Sequence, residues 1–268
     1  VYSYYEISGF SPCEPNAGRD LVEVPDLSNA ALFLDFDGTL VETADHPDAI
    51  ELDEGLCVML RTLLDRTGKA TAIVSGRRLE ELEHLLPWFD GTLIGSHGAE
   101  SRRNGAYATV PETGSETIMM FKDVVGSWVQ HHPSVFYEEK PASLALHFRR
   151  APELHAECGR LLDALARDAD EYTVHHADMA FELLPARVSK RQVVADLMVE
   201  WAGRVPVAIG NDATDEGMFR GAQDHGGYAI KVGEGDTVAD LCLNDVSDVH
   251  RLLRDWVTGP VAMTPSPA

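Results

Sequence analysis

Apolar positions recur in two rhythms along this chain, and their alternation carries most of its architecture. From Ala30 onward, short runs of small and β-branched residues alternate with stretches in which apolar side chains return every three or four positions. "ALFLD" (31–35), "KATAIVSG" (69–76) and "GTLIGSHG" (91–98) are too short and too continuously apolar to be amphipathic helices, and they predict buried strands. "DEGLCVMLRTLLDRTG" (53–68) sets Leu56, Met59, Leu60, Leu63 and Leu64 on one helical face and stops at Gly68, and "RRLEELEHLL" (77–86) predicts the next helix. The rhythm resumes with helix "SKRQVVADLMVEWAG" (189–203), strand "VPVAIGND" (205–212), helix "ATDEGMFRGA" (213–222) and strand "GYAIKVG" (227–233). Such alternation is the pattern of an α/β fold, a parallel sheet covered on both faces.

Between these halves the order changes. Helix "SETIMMFKDVVGSWVQHH" precedes strands "SVFYEEK" and "SLALHFR", and helix "PELHAECGRLLDALARDA" precedes strands "EYTVHHA" and "MAFELLP". An αββαββ block inside an α/β sheet predicts a second, antiparallel domain. The expected division is an N-terminal arm over 1–26, a discontinuous core over 27–106 and 187–258, the inserted domain over 107–186, and a tail over 259–268. The arm and the tail are rich in turn-forming residues and show no periodicity.

Composition narrows the function. A formal charge of -22 disfavours nucleic acid and polybasic membrane contact, both of which depend on lysine and arginine. It also requires that any site for an anionic substrate be locally positive or hold a cation. Cys13, Cys57, Cys158 and Cys242 form no CxxC pair and are expected to be reduced thiols in a cytoplasmic, monomeric protein. No segment has the apolar length of a membrane span, and "VYSYYEISGF" lacks the features of a secretory leader.

Three strands of the α/β part end in polar groups: Asp35 and Asp37 with Thr39, Ser75 with Arg77, and Asn211 and Asp212 followed by Asp215 and Glu216. In an open parallel sheet, ligands bind beyond the carboxyl ends of the strands, so the three clusters should converge. Extended backbone would send Asp35 and Asp37 to the same side, and Gly38 would let the chain bend away with its amides free for an anion. Gathered carboxylates repel one another unless a hard cation neutralises them, and Mg2+ suits a few carboxylates with water and phosphate. A bare Asp-Gly turn explains the first cluster alone. A calcium loop does not, because Gly38 falls at the fourth position from Asp35 rather than the sixth.

"DFDGTL" with "HP" shortly after, "SGR", "GSHGAE", "EEKPASLALHFR", "FELLP" followed by Lys190, and "GNDATDEGMF" stand in one order over about residues 30 to 257. In these motifs the chain resembles the haloacid dehalogenase superfamily of phosphatases and, more narrowly, the trehalose-6-phosphate phosphatase family. That resemblance implies a Rossmann-like core carrying a C2-type cap, and Mg2+-dependent hydrolysis of a sugar phosphate. It implies that Asp35 is the nucleophile, Asp37 the acid and base, and Ser75 and Lys190 the holders of the phosphoryl oxygens. Asp35, Asp37 through its carbonyl, Asn211 and Asp212 would hold the metal, and Asp215 would support its water. Thr39, Arg77, His97, Gly98, Glu138, Lys140 and Glu182 would line the substrate site, the cap residues Glu138, Lys140 and Glu182 reaching the glucose hydroxyls. By its residues alone His97 is equally a structural turn histidine, and Glu138 and Lys140 a solvated strand end. His147 is expected to be structural, and the adjacent pairs His131/His132 and His175/His176 are not expected to bind metal.

Two positions depart from the pattern: Asn211 stands where an aspartate is usual, and Arg191 where a glycine commonly follows the lysine. The resemblance implies a functional link to trehalose-6-phosphate synthase. Two alternatives remain open at this point: a phosphatase of another sugar or glucosylglycerol-type phosphate, and a non-catalytic sugar-phosphate sensor.

Overall fold

The computed structural model describes residues 4–7, 11–12, 22–43, 50, 52–177 and 179–258. The "HP" pair after the first motif, Cys13 and the expected tail lie outside the described residues. The chain begins with β1 (Tyr4–Ile7), β2 (Ser11–Pro12) and β3 (Val22–Pro25). There follow β4 (Ala30–Leu34), α1 (Glu54–Arg66), β5 (Thr71–Val74), α2 (Leu79–Leu85) and β6 (Thr92–Gly95), then the strands β7 (Glu100–Arg103) and β8 (Ala106–Thr109). The inserted block is α3 (Glu116–Val129), β9 (Phe136–Glu139), β10 (Leu144–His147), α4 (His155–Arg167), β11 (Tyr172–Ala177) and β12 (Ala180–Pro185). The chain returns through α5 (Lys190–Glu200), β13 (Val205–Gly210), α6 (Asp215–Asp224), β14 (Tyr228–Val232), β15 (Leu241–Leu243) and α7 (Val246–Thr258).

The main sheet runs β2-β15-β14-β13-β4-β5-β6-β7-β8, parallel from β15 to β6 and antiparallel at both margins. Its central strands are buried throughout because helices cover both faces. Leu32, Leu34, Ile73 and Ile209 pack with α1, α2 and α7 residues such as Leu60, Leu82 and Leu253, while Phe33, Val74 and Ala208 pack with Val194, Leu197 and Phe219 of α5 and α6. Helix α1 starts where the Asp53 side chain accepts from the Leu56 amide, and α5 where Ser189 Oγ accepts from Gln192 N. The inserted block forms an antiparallel sheet, β11-β12-β10-β9, one face of which packs Leu144, Leu146, Phe181 and Leu183 against Ile118, Phe121, Cys158 and Leu162 of α3 and α4. Ala99, Ala142, Leu184 and Val188 form a small apolar joint between block and core.

Several features differ from the sequence-based expectation. Among the described residues of the expected arm, β1 pairs with β3, and β2 extends the main sheet at β15. Four-residue strands are too short for alternation to register. Cys242 is disulfide-bonded rather than reduced, on the strand that β2 joins, whereas Cys57 and Cys158 are free. The β7–β8 hairpin lacks an apolar face; its signal is Asn104-Gly105, whose φ angles of 51° and 76° make the turn. His131 and His132 lie beyond the end of α3, not on a strand, and their Nδ1 atoms bond the Ser127 and Trp128 carbonyls.

Candidate active site

The carboxyl ends of β4, β5 and β13 bring their polar residues together, because the three strands are parallel and in register, Leu34 lying beside Ile73 on one side and Ile209 on the other. Asp35 follows β4, and its amide donates to the Ile209 carbonyl. Its carboxylate is buried between two side chains: Thr39 Oγ1 donates to Oδ2 at 3.1 Å, and Lys190 Nζ to Oδ1 at 2.7 Å. The same ammonium donates to Asp215 Oδ1 at 2.6 Å, so one buried cation joins the loop after β4 to the start of α6. The other oxygen of Asp215 accepts from the amides of Asn211 and Asp212 at 2.8 and 3.0 Å and shapes the loop after β13. Asp212 Oδ1 accepts from the Thr214 amide and hydroxyl.

Charge in this crevice is unbalanced. Burial raises the proton affinity of Asp35 well above the ordinary carboxyl range, the Asp215 carboxylate adds to it, and Lys190 only partly offsets them. Burial likewise pushes Asp215 up against the pull of Lys190. For Lys190 burial works against the charge, but Asp215 and Asp35 outweigh it and raise its affinity for the proton. Desolvation also opposes the charge of Asp212 at the crevice mouth, yet Lys190 and the Thr214 hydroxyl outweigh it and bring its carboxyl to about 2.

Asp37 has a separate partner. Arg77 Nε and Nη2 each donate to one of its oxygens at 2.7 Å, a two-pronged clamp that fixes the carboxylate plane. Ser75 is buried at the end of β5, and its Oγ accepts from the Arg77 amide at 3.1 Å. Gly38, at φ 77°, needs to be glycine for a second reason: a Cβ there would lie 2.1 Å from Asn211 Nδ2. Lys231 donates to the Asn211 carbonyl, a contact with no signal in the sequence motifs. Arg191 points away from the crevice to Asp224, so its departure from the usual glycine adds no charge beside Asp35.

The inserted block reaches the crevice through Lys140, Glu182 and Glu138. Lys140 Nζ donates to Glu182 Oε1 at 2.8 Å and to the Gly76 carbonyl, between Ser75 and Arg77, at 3.0 Å, and lies 3.8 Å from Glu138. Glu182 also meets His97 Nε2 at 2.9 Å. His97, at φ 58° and followed by Gly98 at φ 119°, lays its ring over Gly76, where a Cβ would lie 2.7 Å from it. Gly98 sits against Val193, where a Cβ would lie 2.9 Å from Cγ2. Burial disfavours the Glu182 charge, but Lys140 and His97 outweigh it and hold the carboxyl well below its usual range. Glu138 is lowered too: the His147 hydrogen bond, at 3.0 Å, and Lys140 overcome its burial.

Among the described residues, no group of three or more His, Cys, Asp or Glu side chains forms a ready metal cage. The donors nevertheless fit a hard cation: Asp35, Asp212 and the Asn211 amide are oxygen donors, and three carboxylates here share one buried ammonium. Asp215 is the expected metal residue that fits least as a ligand, since Lys190 and two amides engage both its oxygens.

Comparison with known proteins adds a family to this geometry. A family model described as trehalose-phosphatase matches residues 33–246. The chain is 36% identical over 231 residues to a probable trehalose-phosphate phosphatase of Sinorhizobium fredii, covering 83% of this chain and 86% of that one. It is 33% identical over 235 residues to the trehalose-6-phosphate phosphatase of Escherichia coli, covering 85% and 87%. The crystal structure of a trehalose-6-phosphate phosphatase related protein superposes with a TM-score of 0.71 at 28% identity, covering 85% of this chain and 96% of that one.

Proposed function

The chain belongs to the trehalose-phosphatase family, and we propose that it hydrolyses trehalose 6-phosphate to trehalose and inorganic phosphate through an aspartyl-phosphate on Asp35. The observation that carries this mechanism is the pair of separately held carboxylates. Asp35 is bonded by Lys190 and Thr39, and Asp37, two residues on, is clamped by Arg77. Because the two carboxylates have different partners, the nucleophile and the proton carrier, which are different tasks, can be separate groups.

Asp35 attacks phosphorus, forming an acyl phosphate as the bond from phosphorus to the sugar oxygen breaks, and Asp37 gives that oxygen its proton. Asp37 then takes a proton from the water that attacks the acyl phosphate, releasing phosphate and restoring Asp35. Ser75 and Lys190 hold the phosphoryl oxygens, and Lys190 is already seated against Asp35. Mg2+ is the cofactor proposed, held by Asp35, the Asp37 carbonyl, Asn211 and Asp212. When bound, it supplies the positive charge that the crevice lacks.

The inserted block acts as the cap, with Glu138, Lys140 and Glu182 exchanging their contacts with one another for sugar hydroxyls. Phosphate release from trehalose 6-phosphate, with glucose 6-phosphate and glucosylglycerol phosphate in parallel and Asp35→Asn as the blank, tests the assignment. Preferred turnover of trehalose 6-phosphate that needs Mg2+ and Asp35 is expected. Preference for another substrate overturns the cap roles, and binding without turnover favours a sensor.

A further inference from the structure

Glu138, Ala145, Glu182 and His175 are successive partners across β9, β10, β12 and β11, so their side chains share one face of the cap sheet. That face looks toward the crevice, because Glu182 on it reaches His97 of the core. The cap contacts proposed so far use this row only as far as β12. His175, its last member, has no role in them. From β9 to β11 the row crosses three inter-strand spacings, about 14 Å. A single hexose ring is too short to touch both ends; a disaccharide is the class of ligand that can.

His175 lines a cleft of about 340 Å³ between cap and core, with Thr173 on the cap side and His97, Ser189, Lys190 and Thr214 on the core side. Lys190, which grips Asp35, is thus part of the cleft wall, and the cleft's size falls at the lower end of small-molecule sites. His97, which lines the cleft, has a buried Nδ1 with no partner, while Nε2 of the same ring is committed to Glu182. A buried ring nitrogen left in this way is costly. Burial, then the neighbouring His97 and His176 against the opposing pull of Glu182, lower the proton affinity of His175. Its neutral ring offers one donor and one acceptor, which matches a hydroxyl group that is both.

We infer that His175 is a specificity-determining residue that hydrogen-bonds a hydroxyl of the hexose remote from the phosphate, beside His97 in the same cleft. The inference rests on the sugar-phosphate reading above and deepens it. It is tested with the full chain carrying His175→Ala or His175→Gln, assayed on trehalose 6-phosphate, glucose 6-phosphate and p-nitrophenyl phosphate.

In His175→Ala, kcat/KM for trehalose 6-phosphate relative to either single-ring substrate should fall about 3- to 10-fold through KM, the range of one neutral hydrogen bond. His175→Gln, which can still donate and accept, should recover part of the loss. Equal losses on all three substrates would assign His175 a structural role and overturn the inference, as would unchanged selectivity. A wild-type enzyme that turns over trehalose 6-phosphate no better than glucose 6-phosphate would instead overturn the trehalose 6-phosphate reading, and the inference with it.

Discussion

Removing the Lys190 ammonium should unsettle the fold as well as stop the reaction. The side chain is 1% exposed and lies 2.7 Å from Asp35 and 2.6 Å from Asp215, which are themselves 7% and 0% exposed. Lys190→Met keeps most of the volume and leaves two carboxylates facing each other with no cation between them. Breaking a buried pair in this way costs about 3–5 kcal/mol, because the remaining charge is uncompensated. At about 2–4 °C per kcal/mol for a protein near this size, the melting temperature should fall by about 6–20 °C.

The second variant separates charge from packing. Asp215→Asn keeps an oxygen for the Asn211 and Asp212 amides and removes one of the stranded charges. Combined with Lys190→Met, it should recover at least about 1 kcal/mol relative to the sum of the single changes. Urea denaturation of all four proteins in a chelating buffer, where no added cation can replace the ammonium, gives the cycle. A Lys190→Met protein within about 1 kcal/mol of wild type, or strict additivity in the double variant, would refute the reasoning; both lie outside the range for a broken buried pair.

Glu182 has its carboxyl held below its unfolded value, so its stabilisation is complete above about pH 4.3 and is lost as pH falls through the folded value. The stability gap between wild type and Glu182→Gln should therefore narrow below about pH 4, and a gap unchanged in urea titrations from neutral to acidic pH would contradict this. Gly38→Ala places a Cβ 2.1 Å from Asn211 Nδ2 on a backbone at φ 77°, so it should lose at least about 1–2 kcal/mol and raise the Mg2+ concentration needed for half-maximal activity. Urea midpoints and a Mg2+ titration check both, and a stability within about 0.5 kcal/mol of wild type would count against the geometry. Arg77→Ala frees the Asp37 carboxylate and should slow the release of the poorly departing sugar at least about 10-fold more than that of p-nitrophenolate, which needs little protonation. Equal slowing of the two in single-turnover phosphorylation would show that Arg77 does not act through Asp37.

What the sequence discloses depends on whether a feature is local. Strands β4, β5 and β13 are legible because burial on both faces forces continuous apolar runs, and Asp35, Ser75 and Asn211 are legible because they break those runs at the carboxyl end. The partner of each carboxylate is not local. Lys190 stands 155 positions from Asp35, and Arg77 stands 40 from Asp37; no spacing rule selects them, and only the resemblance of motifs placed Lys190 in the site. The cap row is harder still. Alternation along β12 places Glu182 on one face, but which residue lies beside it depends on the register of β11 and β12. A slip of one residue would bring Val174 or His176 opposite Glu182 in place of His175. The sequence treats His175 and His176 as equivalent neighbours on opposite sides of a strand. Both line the cleft, and the register, which sets His175 rather than His176 beside Glu182, is what distinguishes them and turns a pair with no metal-binding pattern into one residue with a ligand to read.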